Sequence, residues 1–193
     1  AYAVVANFAP DTTYNGKSIE QINLMKGRKH KAKEEAETIM DIVSAGGASA
    51  VFHGMSEEDV RRIMQYPFNM IASDASIRML GAGVPHPRGY GSNARVLAKY
   101  VREEKLISLE EAIRRMTSLP AQKFQLKDRG LLREGYAADI VIFDEKQVQD
   151  ISTYEKPHAY SKGFHYVIVN GVLTVENEKH TRARGGMALR NIL

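Results

Sequence analysis

The sequence predicts an α/β fold, with βα units over residues 1–126 and a small β-rich domain over residues 127–193. Short apolar runs alternate with helical patterns in the first part. After Leu126 the pattern changes, and glycines separate short runs of β-branched residues. The 193 residues are 44% hydrophobic, which is enough to bury a substantial core.

The first elements are a strand and two helices. Residues 1–7 form an apolar run that ends in turn-forming Pro10-Asp11, which predicts a strand. Ser18 is placed to cap a short helix over residues 18–25. Residues 34–43 carry apolar side chains at helical spacing, and Gly46-Gly47 ends that helix.

The next three elements predict a parallel βαβ unit. Residues 48–52 have the small and β-branched character of a buried strand, and residues 57–65 form a helix with acids in its first turn. Residues 68–72 are a second short apolar run. A strand, a helix and a strand in this order predict parallel strands joined by a helical crossover.

The remaining elements are three helices and a set of short strands. Helices are predicted at 94–103, at 108–116 with Ser108 as the cap, and at 119–124. Strands are predicted at 139–143, 166–169 and 172–175. Asn170-Gly171 joins the last two, which is the signal for a β-hairpin with a type I′ turn.

Composition narrows the function classes. No apolar run approaches the roughly 20 residues of a membrane span, and the apolar start has no basic stretch before it, which disfavours a signal peptide. We expect no membrane partner and a truncated or processed start. Zero cysteines fit a reducing compartment, so a cytoplasmic location is expected. The net charge is +4, but the basic residues are interspersed with acidic ones, and no nucleic-acid-binding motif occurs. No nucleic acid partner is therefore expected.

Candidate site residues follow the second predicted strand. Asp74 lies where an apolar run meets a glycine-rich loop, the position that faces the active site in βα barrels, although Ser73-Asp74 could instead cap the next segment. In the loop at residues 85–91, prolines and glycines present His86 and Arg88. Arg88 offers a planar fork of donors that suits a carboxylate; the alternative is a structural arginine bonded to carbonyls.

His86 has no second histidine two or four residues away with which it could chelate a metal. The five other histidines form no ligand pair either, and we expect structural or surface roles for those five, including His53, which follows a predicted buried strand. These residues are His30, His53, His158, His165 and His180.

Five motifs carry information about the family: Ile-Ala-Ser-Asp at 71–74, His-Pro-Arg-Gly-Tyr-Gly at 86–91, Met-Thr-Ser-Leu-Pro-Ala at 116–121, Gly-Tyr-Ala-Ala-Asp at 135–139 and Val-Asn-Gly at 169–171. Through these motifs the chain resembles the D-aminoacylase (N-acyl-D-amino-acid deacylase) family of the amidohydrolase superfamily. The last two patterns occur across amidohydrolases, whereas the His-Pro-Arg loop narrows the choice to this family.

The resemblance implies a fold and a chemistry. Residues 1–126 would be the C-terminal part of a distorted (β/α) barrel and residues 127–193 a small β-sandwich-type domain. Asp74 matches the aspartate that acts as general base toward the zinc-activated water and then as acid toward the leaving nitrogen. Arg88, with His86 beside it, matches the loop that holds the substrate's α-carboxylate.

The same resemblance implies a zinc cofactor that this chain alone does not complete. Asp74 is the one residue of the family's metal site in the sequence, and the family's other ligands would lie on a missing N-terminal segment, a partner of this chain within the same enzyme. The expected substrate is a small molecule, an N-acyl-D-amino acid. Ala75-Ser76 stands where the family has glycine after the aspartate, which leaves substrate choice open.

Two alternatives stay open at this stage. One is a dihydroorotase-like or hydantoinase-like cyclic amidohydrolase, although the Arg88 loop favours the deacylase. The other is a non-catalytic module that keeps the β domain as an interaction surface.

Overall fold

A computed structural model describes residues 3–77 and 79–189. The chain is a mixture of helices and sheets and divides into two compact units that do not follow chain order. The first unit takes the described residues of 1–57, 75–89 and 152–159, and the second takes those of 58–74, 90–151 and 160–193. The predicted α/β class is confirmed at this level, and the predicted domain boundary near Lys127 stays a prediction.

The first unit combines a two-stranded sheet with two helices. Its elements are β1 (Ala3–Asn7), a 3-10 turn (Thr12–Tyr14), α1 (Ile19–Met25), α2 (Ala32–Ser44) and β2 (Ser49–Phe52). Ser18 begins α1 through a capping box, because its hydroxyl accepts the Gln21 N–H while the Gln21 side chain accepts the Ser18 N–H. The predicted cap and helix are confirmed.

Strands β1 and β2 run antiparallel, with Val5 opposite Ala50. Val5, Phe8, Ile22 and Ile42 are buried together between the sheet and the two helices. In α2 the buried residues are Thr38 and Ile42, whereas the apolar Ile39, Met40 and Val43 are exposed.

The second unit contains most of the helices. They are α3 (Glu57–Met64), α4 (Arg88–Arg95), which continues as a π-helix (Val96–Glu103), α5 (Leu109–Met116) and α6 (Ser118–Lys123). The core of this unit centres on Leu97, Tyr100 and Ala112. Ser108 caps α5 by accepting the Glu111 N–H at 3.2 Å, as predicted.

A four-stranded antiparallel sheet completes the second unit. Its strands follow chain order, as β3 (Ile140–Phe143), β4 (Phe164–Val169), β5 (Val172–Glu176) and β6 (Lys179–His180). Asn170 and Gly171 have φ angles of 49° and 78°, the left-handed pair that a type I′ turn requires. The predicted hairpin is therefore confirmed.

The predicted parallel βαβ unit is wrong. Residues 68–72 form no strand, and β2 pairs antiparallel with β1. Residues 68–72 instead follow an irregular path in which the Ile71 N–H donates to the Arg115 carbonyl at the end of α5, at 3.2 Å. Residues 49–52 are also less buried than predicted, since Val51 is buried while the Phe52 side chain is 61% exposed. A paired parallel strand therefore does not support Asp74 in the described residues.

Candidate active site

Asp74 lies in an irregular segment of the second unit, between α3 and the glycine-rich loop. Its φ angle is 49°, a left-handed conformation that non-glycine residues adopt rarely and aspartate more readily than most. The residue is exposed, and the segment before it is anchored to α5 by the Ile71 N–H. Asp74 therefore follows an anchored segment and adopts a left-handed backbone conformation.

His86 and Arg88 lie together in the first unit, at the entrance to α4. Pro85 before them is buried, and Arg88 is the first residue of the helix. The Arg88 N–H donates to His86 Nδ1 at 3.0 Å. The imidazole therefore accepts one of the N–H groups that a helix start leaves without an intrahelical partner.

Two aromatic residues from distant parts of the chain surround His86. The Tyr154 ring meets the His86 ring edge-on, with centroids 5.0 Å apart, and the Tyr154 hydroxyl lies 3.2 Å from His86 Nε2. His53 packs on the same tyrosine, with ring centroids 4.7 Å apart. The sequence pattern did not single out Tyr154, because 68 residues separate it from His86.

The surroundings of His86 disfavour its protonated form. Partial burial is the main cause, and the electrostatic effects of Arg88 and His53 add to it, so the pKa of His86 lies below its usual 6.5. The ring is therefore neutral at physiological pH, which is the state needed for Nδ1 to accept the Arg88 N–H.

The structure therefore brings His86 and Arg88 together and adds Tyr154 and His53 beside them. Asp74 belongs to the other compact unit. The roles of Asp74, Arg88 and His86 in binding and catalysis also stay predictions.

Two of the remaining histidines have the structural or surface roles expected of them. His158 Nδ1 accepts the Gly81 N–H at 3.1 Å, and its Nε2 lies 2.8 Å from the Gly83 carbonyl, so it fixes the glycine-rich loop of the first unit. His30 is exposed beside Glu35, with Nδ1 2.6 Å from its carboxylate.

Among residues 3–77 and 79–189, no group of three or more histidine, cysteine, aspartate or glutamate side chains is arranged to hold a metal ion. The described residues thus do not form a zinc site by themselves, and Asp74 alone offers one carboxylate. Over the same part of the chain, no helix has both the length and the apolar character to span a bilayer.

A cavity of about 470 Å³ opens elsewhere in the first unit, between the β1–β2 sheet and α2. Its lining is mainly apolar and includes Val5, Ile39 and Phe52. Neither His86 nor Arg88 lines it, so it is separate from the candidate loop.

Comparison with known proteins identifies the class. Residues 9–175 match the family model described as "Amidohydrolase family". The match covers most of the 193 residues, and the chain belongs to the amidohydrolase family.

Individual relatives confirm the resemblance to D-aminoacylases. An N-acyl-D-aspartate deacylase of Alcaligenes xylosoxydans xylosoxydans is 41% identical over 142 residues, which are 74% of this chain and 28% of the relative. A D-aminoacylase of the same organism is 34% identical over 180 residues, which are 93% of this chain and 35% of the relative. The crystal structure of N-acyl-D-glutamate deacylase from Bordetella bronchiseptica, complexed with zinc and a phosphonate inhibitor, is 35% identical with a TM-score of 0.78; the likeness covers 89% of this chain and 34% of that one.

Matches to dihydroorotases are shorter. One from Lactobacillus acidophilus is 34% identical over 93 residues, which are 45% of this chain and 21% of the relative. The chain spans about a third or less of the length of all these relatives.

Proposed function

We propose that this chain is the C-terminal part of a metal-dependent hydrolase that cleaves the linear amide bond of N-acyl-D-amino acids. The observation that carries the proposal is the extent of the match to D-aminoacylase, which runs over 93% of the chain and includes the His-Pro-Arg loop. Cyclic amidohydrolase activity is less well supported, since the dihydroorotase match reaches only 45% of the chain.

The proposal includes the architecture inferred from the sequence. Residues 1–126 would complete a distorted (β/α) barrel with segments outside this chain, and residues 127–193 would form a small β-rich domain. The antiparallel sheet of β3 to β6 supports the second part. Likeness to the zinc-bound deacylase structure, at a TM-score of 0.78, supports the first.

Arg88 would bind the α-carboxylate of the substrate. It is exposed at the first turn of α4, where the helix dipole and the guanidinium both favour an anion. A guanidinium presents two parallel N–H donors to a carboxylate, which fixes the orientation of the substrate as well as its position.

Asp74 would act as the general base and then the general acid. Its exposed carboxylate would take the proton of the attacking water and return it to the leaving nitrogen. When bound, zinc would lower the pKa of water and polarise the scissile carbonyl. Most ligands of that ion would come from outside this chain, because its described residues form no metal site.

The experiment that tests the proposal measures the complete enzyme on N-acyl-D-amino acids, N-acyl-L-amino acids and dihydroorotate, with added zinc and with chelator. We expect hydrolysis of the D-series that chelator removes. Activity confined to dihydroorotate would contradict the proposal.

An Arg88→Lys variant tests the carboxylate contact. Charged hydrogen bonds contribute about 1.5–3 kcal/mol, so we expect kcat/KM to fall roughly 10- to 100-fold, because an ammonium cannot reproduce the paired donors. Arg62→Lys, at an exposed position of α3, is the matched control and should leave kcat/KM unchanged. An equal loss on N-acyl amines, which lack the carboxylate, would mean that Arg88 is structural.

A further inference from the structure

The contact between Tyr154 and His86 connects two loops of the first unit. Tyr154 follows Ser152, whose buried hydroxyl donates to the Pro157 carbonyl at 2.6 Å and so closes a tight local turn. His158, at the end of the same segment, bonds Gly81 and Gly83. The segment at residues 152–158 is thus closed by its own hydrogen bond and is attached through His158 to the loop that carries His86.

The hydrogen bonds of His86 select one neutral form of the ring. Nδ1 accepts the Arg88 N–H, so in the neutral ring the proton lies on Nε2. That Nε2–H points to the Tyr154 hydroxyl oxygen at 3.2 Å. The Tyr154 hydroxyl therefore accepts the Nε2–H of the neutral tautomer whose Nδ1 accepts the Arg88 N–H.

We propose that Tyr154 is a positioning residue for substrate binding, which acts by holding the His86 ring in the orientation whose Nδ1 accepts the backbone N–H of Arg88. The inference rests on the proposed function, in which Arg88 binds the substrate carboxylate. Tyr154 acts indirectly. Its hydroxyl orients the imidazole of His86, and the imidazole holds the backbone N–H of Arg88. The position of that backbone determines where the arginine side chain begins.

The hydrogen bond from the Arg88 N–H to His86 Nδ1 should depend on pH, because it requires a neutral imidazole. Tyr154 contacts the ring, Arg88 and His53 act on it electrostatically, and burial together with these two residues lowers the pKa of His86 below 6.5. Above pH 6.5 the neutral form prevails and the Arg88 N–H has its acceptor. As the pH falls through the lowered pKa, Nδ1 gains a proton and can no longer accept this N–H. Substrate affinity should decline over the same range.

Tyr154→Phe removes the hydroxyl and keeps the ring contact. In the complete enzyme we expect KM for an N-acyl-D-amino acid to rise roughly fivefold, the effect of one neutral hydrogen bond, with little change in kcat. Tyr160→Phe is the matched control: this exposed tyrosine packs edge-on against Tyr90 in the second unit, and KM should not change.

A readout independent of activity is the hydrogen bonding of the two His86 ring nitrogens. Nitrogen NMR of histidine-labelled enzyme distinguishes a protonated from an unprotonated ring nitrogen, and a His86 variant identifies the signal. We expect an unprotonated, hydrogen-bonded Nδ1 in the unaltered enzyme. In Tyr154→Phe the Nδ1 signal should shift toward that of a nitrogen without a hydrogen bond, because the ring is no longer held against the Arg88 N–H.

The conservative variant His86→Asn tests whether His86 acts by accepting the Arg88 N–H or by filling space in the loop. The Asn Oδ1 occupies the place of Nδ1 and accepts the N–H two residues on, as in an Asx turn, but it does not titrate. We expect substrate affinity to lose the decline at acid pH that comes from His86, and KM to rise no further when Tyr154→Phe is added. His86→Ala should raise KM at every pH.

The outcomes separate this inference from the proposed function. Unchanged His86 nitrogen signals in Tyr154→Phe overturn the inference, whatever the kinetics. Unchanged KM in Tyr154→Phe also overturns it when Arg88→Lys is strongly impaired. If Arg88→Lys has no effect while Tyr154→Phe still shifts the His86 Nδ1 signal, the proposed carboxylate contact fails and the positioning of the Arg88 backbone stands.

Discussion

Replacing Gly163 by alanine should strongly destabilise the second unit. Gly163 has a φ angle of 84°, and a Cβ built there would lie 2.5 Å from the Val148 nitrogen and 2.6 Å from the Val148 Cα. Real Cβ atoms do not approach backbone so closely. Reciprocal hydrogen bonds between Gln149 and Lys162 fix the two segments beside this contact, so neither can easily withdraw.

The magnitude follows from two separable costs. A left-handed conformation costs an L-residue about 1–2 kcal/mol, and overpacking adds about 1–3 kcal/mol. We therefore expect Gly163→Ala to lower the free energy of unfolding by about 3 kcal/mol. Gly135 has a similar φ of 80°, but no atom lies within 4 Å of the position that a Cβ would take there, so Gly135→Ala should carry only the conformational cost.

Urea unfolding followed by circular dichroism compares the two variants. With a slope of about 2 kcal/mol per molar urea, the midpoint should fall by about 1.5 M for Gly163→Ala and by about 0.5–1 M for Gly135→Ala. Equal shifts for the two variants would refute the close approach of residues 148 and 163.

Three further expectations concern the site, the acid stability and the metal. Asp74→Asn should lower turnover by roughly 10²- to 10⁴-fold in the complete enzyme and leave its zinc content largely intact; near-normal turnover would rule out the general base. Hydrogen bonds from Arg114 and Arg115 lower the pKa of Glu111 to about 2 from its usual 4.5, so its contribution to stability is present above pH 4.5 and is lost as the pH falls through about 2. Glu111→Gln should remove this part of the decline in an acid titration, and an unchanged acid profile would contradict it. Residues 1–193 alone should bind zinc weakly and show no deacylase activity, because stable zinc sites need three or four protein ligands; stoichiometric zinc in the purified chain would overturn the metal assignment.

Local signals predicted the elements that local chemistry determines. Ser18 and Ser108 begin helices because each hydroxyl accepts an N–H three residues on, and that spacing is visible in the sequence. Asn170-Gly171 makes a type I′ turn because both residues tolerate a positive φ. These features need no knowledge of distant residues.

Features that depend on distant partners were missed. The run at residues 68–72 has the composition of a strand, but no strand partner lies beside it in the described part of the chain, and the Ile71 N–H bonds to the end of α5 instead. A short apolar run does not reveal whether its partner is a strand or a helix end. The same limit applies to the candidate site: the His86 loop was visible from its prolines and glycines, whereas Tyr154 is an ordinary exposed tyrosine until the fold brings it to the imidazole.

The discontinuity of the first unit has a consequence for synthesis on the ribosome. Its penultimate segment ends at residue 89, and its last segment ends at residue 159, so 70 further residues must be translated before the unit is complete. At about 5–20 residues per second this takes roughly 4–14 seconds. During that interval the Gly81 N–H lacks His158 and the His86 ring lacks Tyr154. The loop that carries His86 and Arg88 is therefore synthesised well before Tyr154 and His158, which hold it in the folded unit. A pause in translation between residues 89 and 159 would prolong the exposure of that loop to proteases and chaperones.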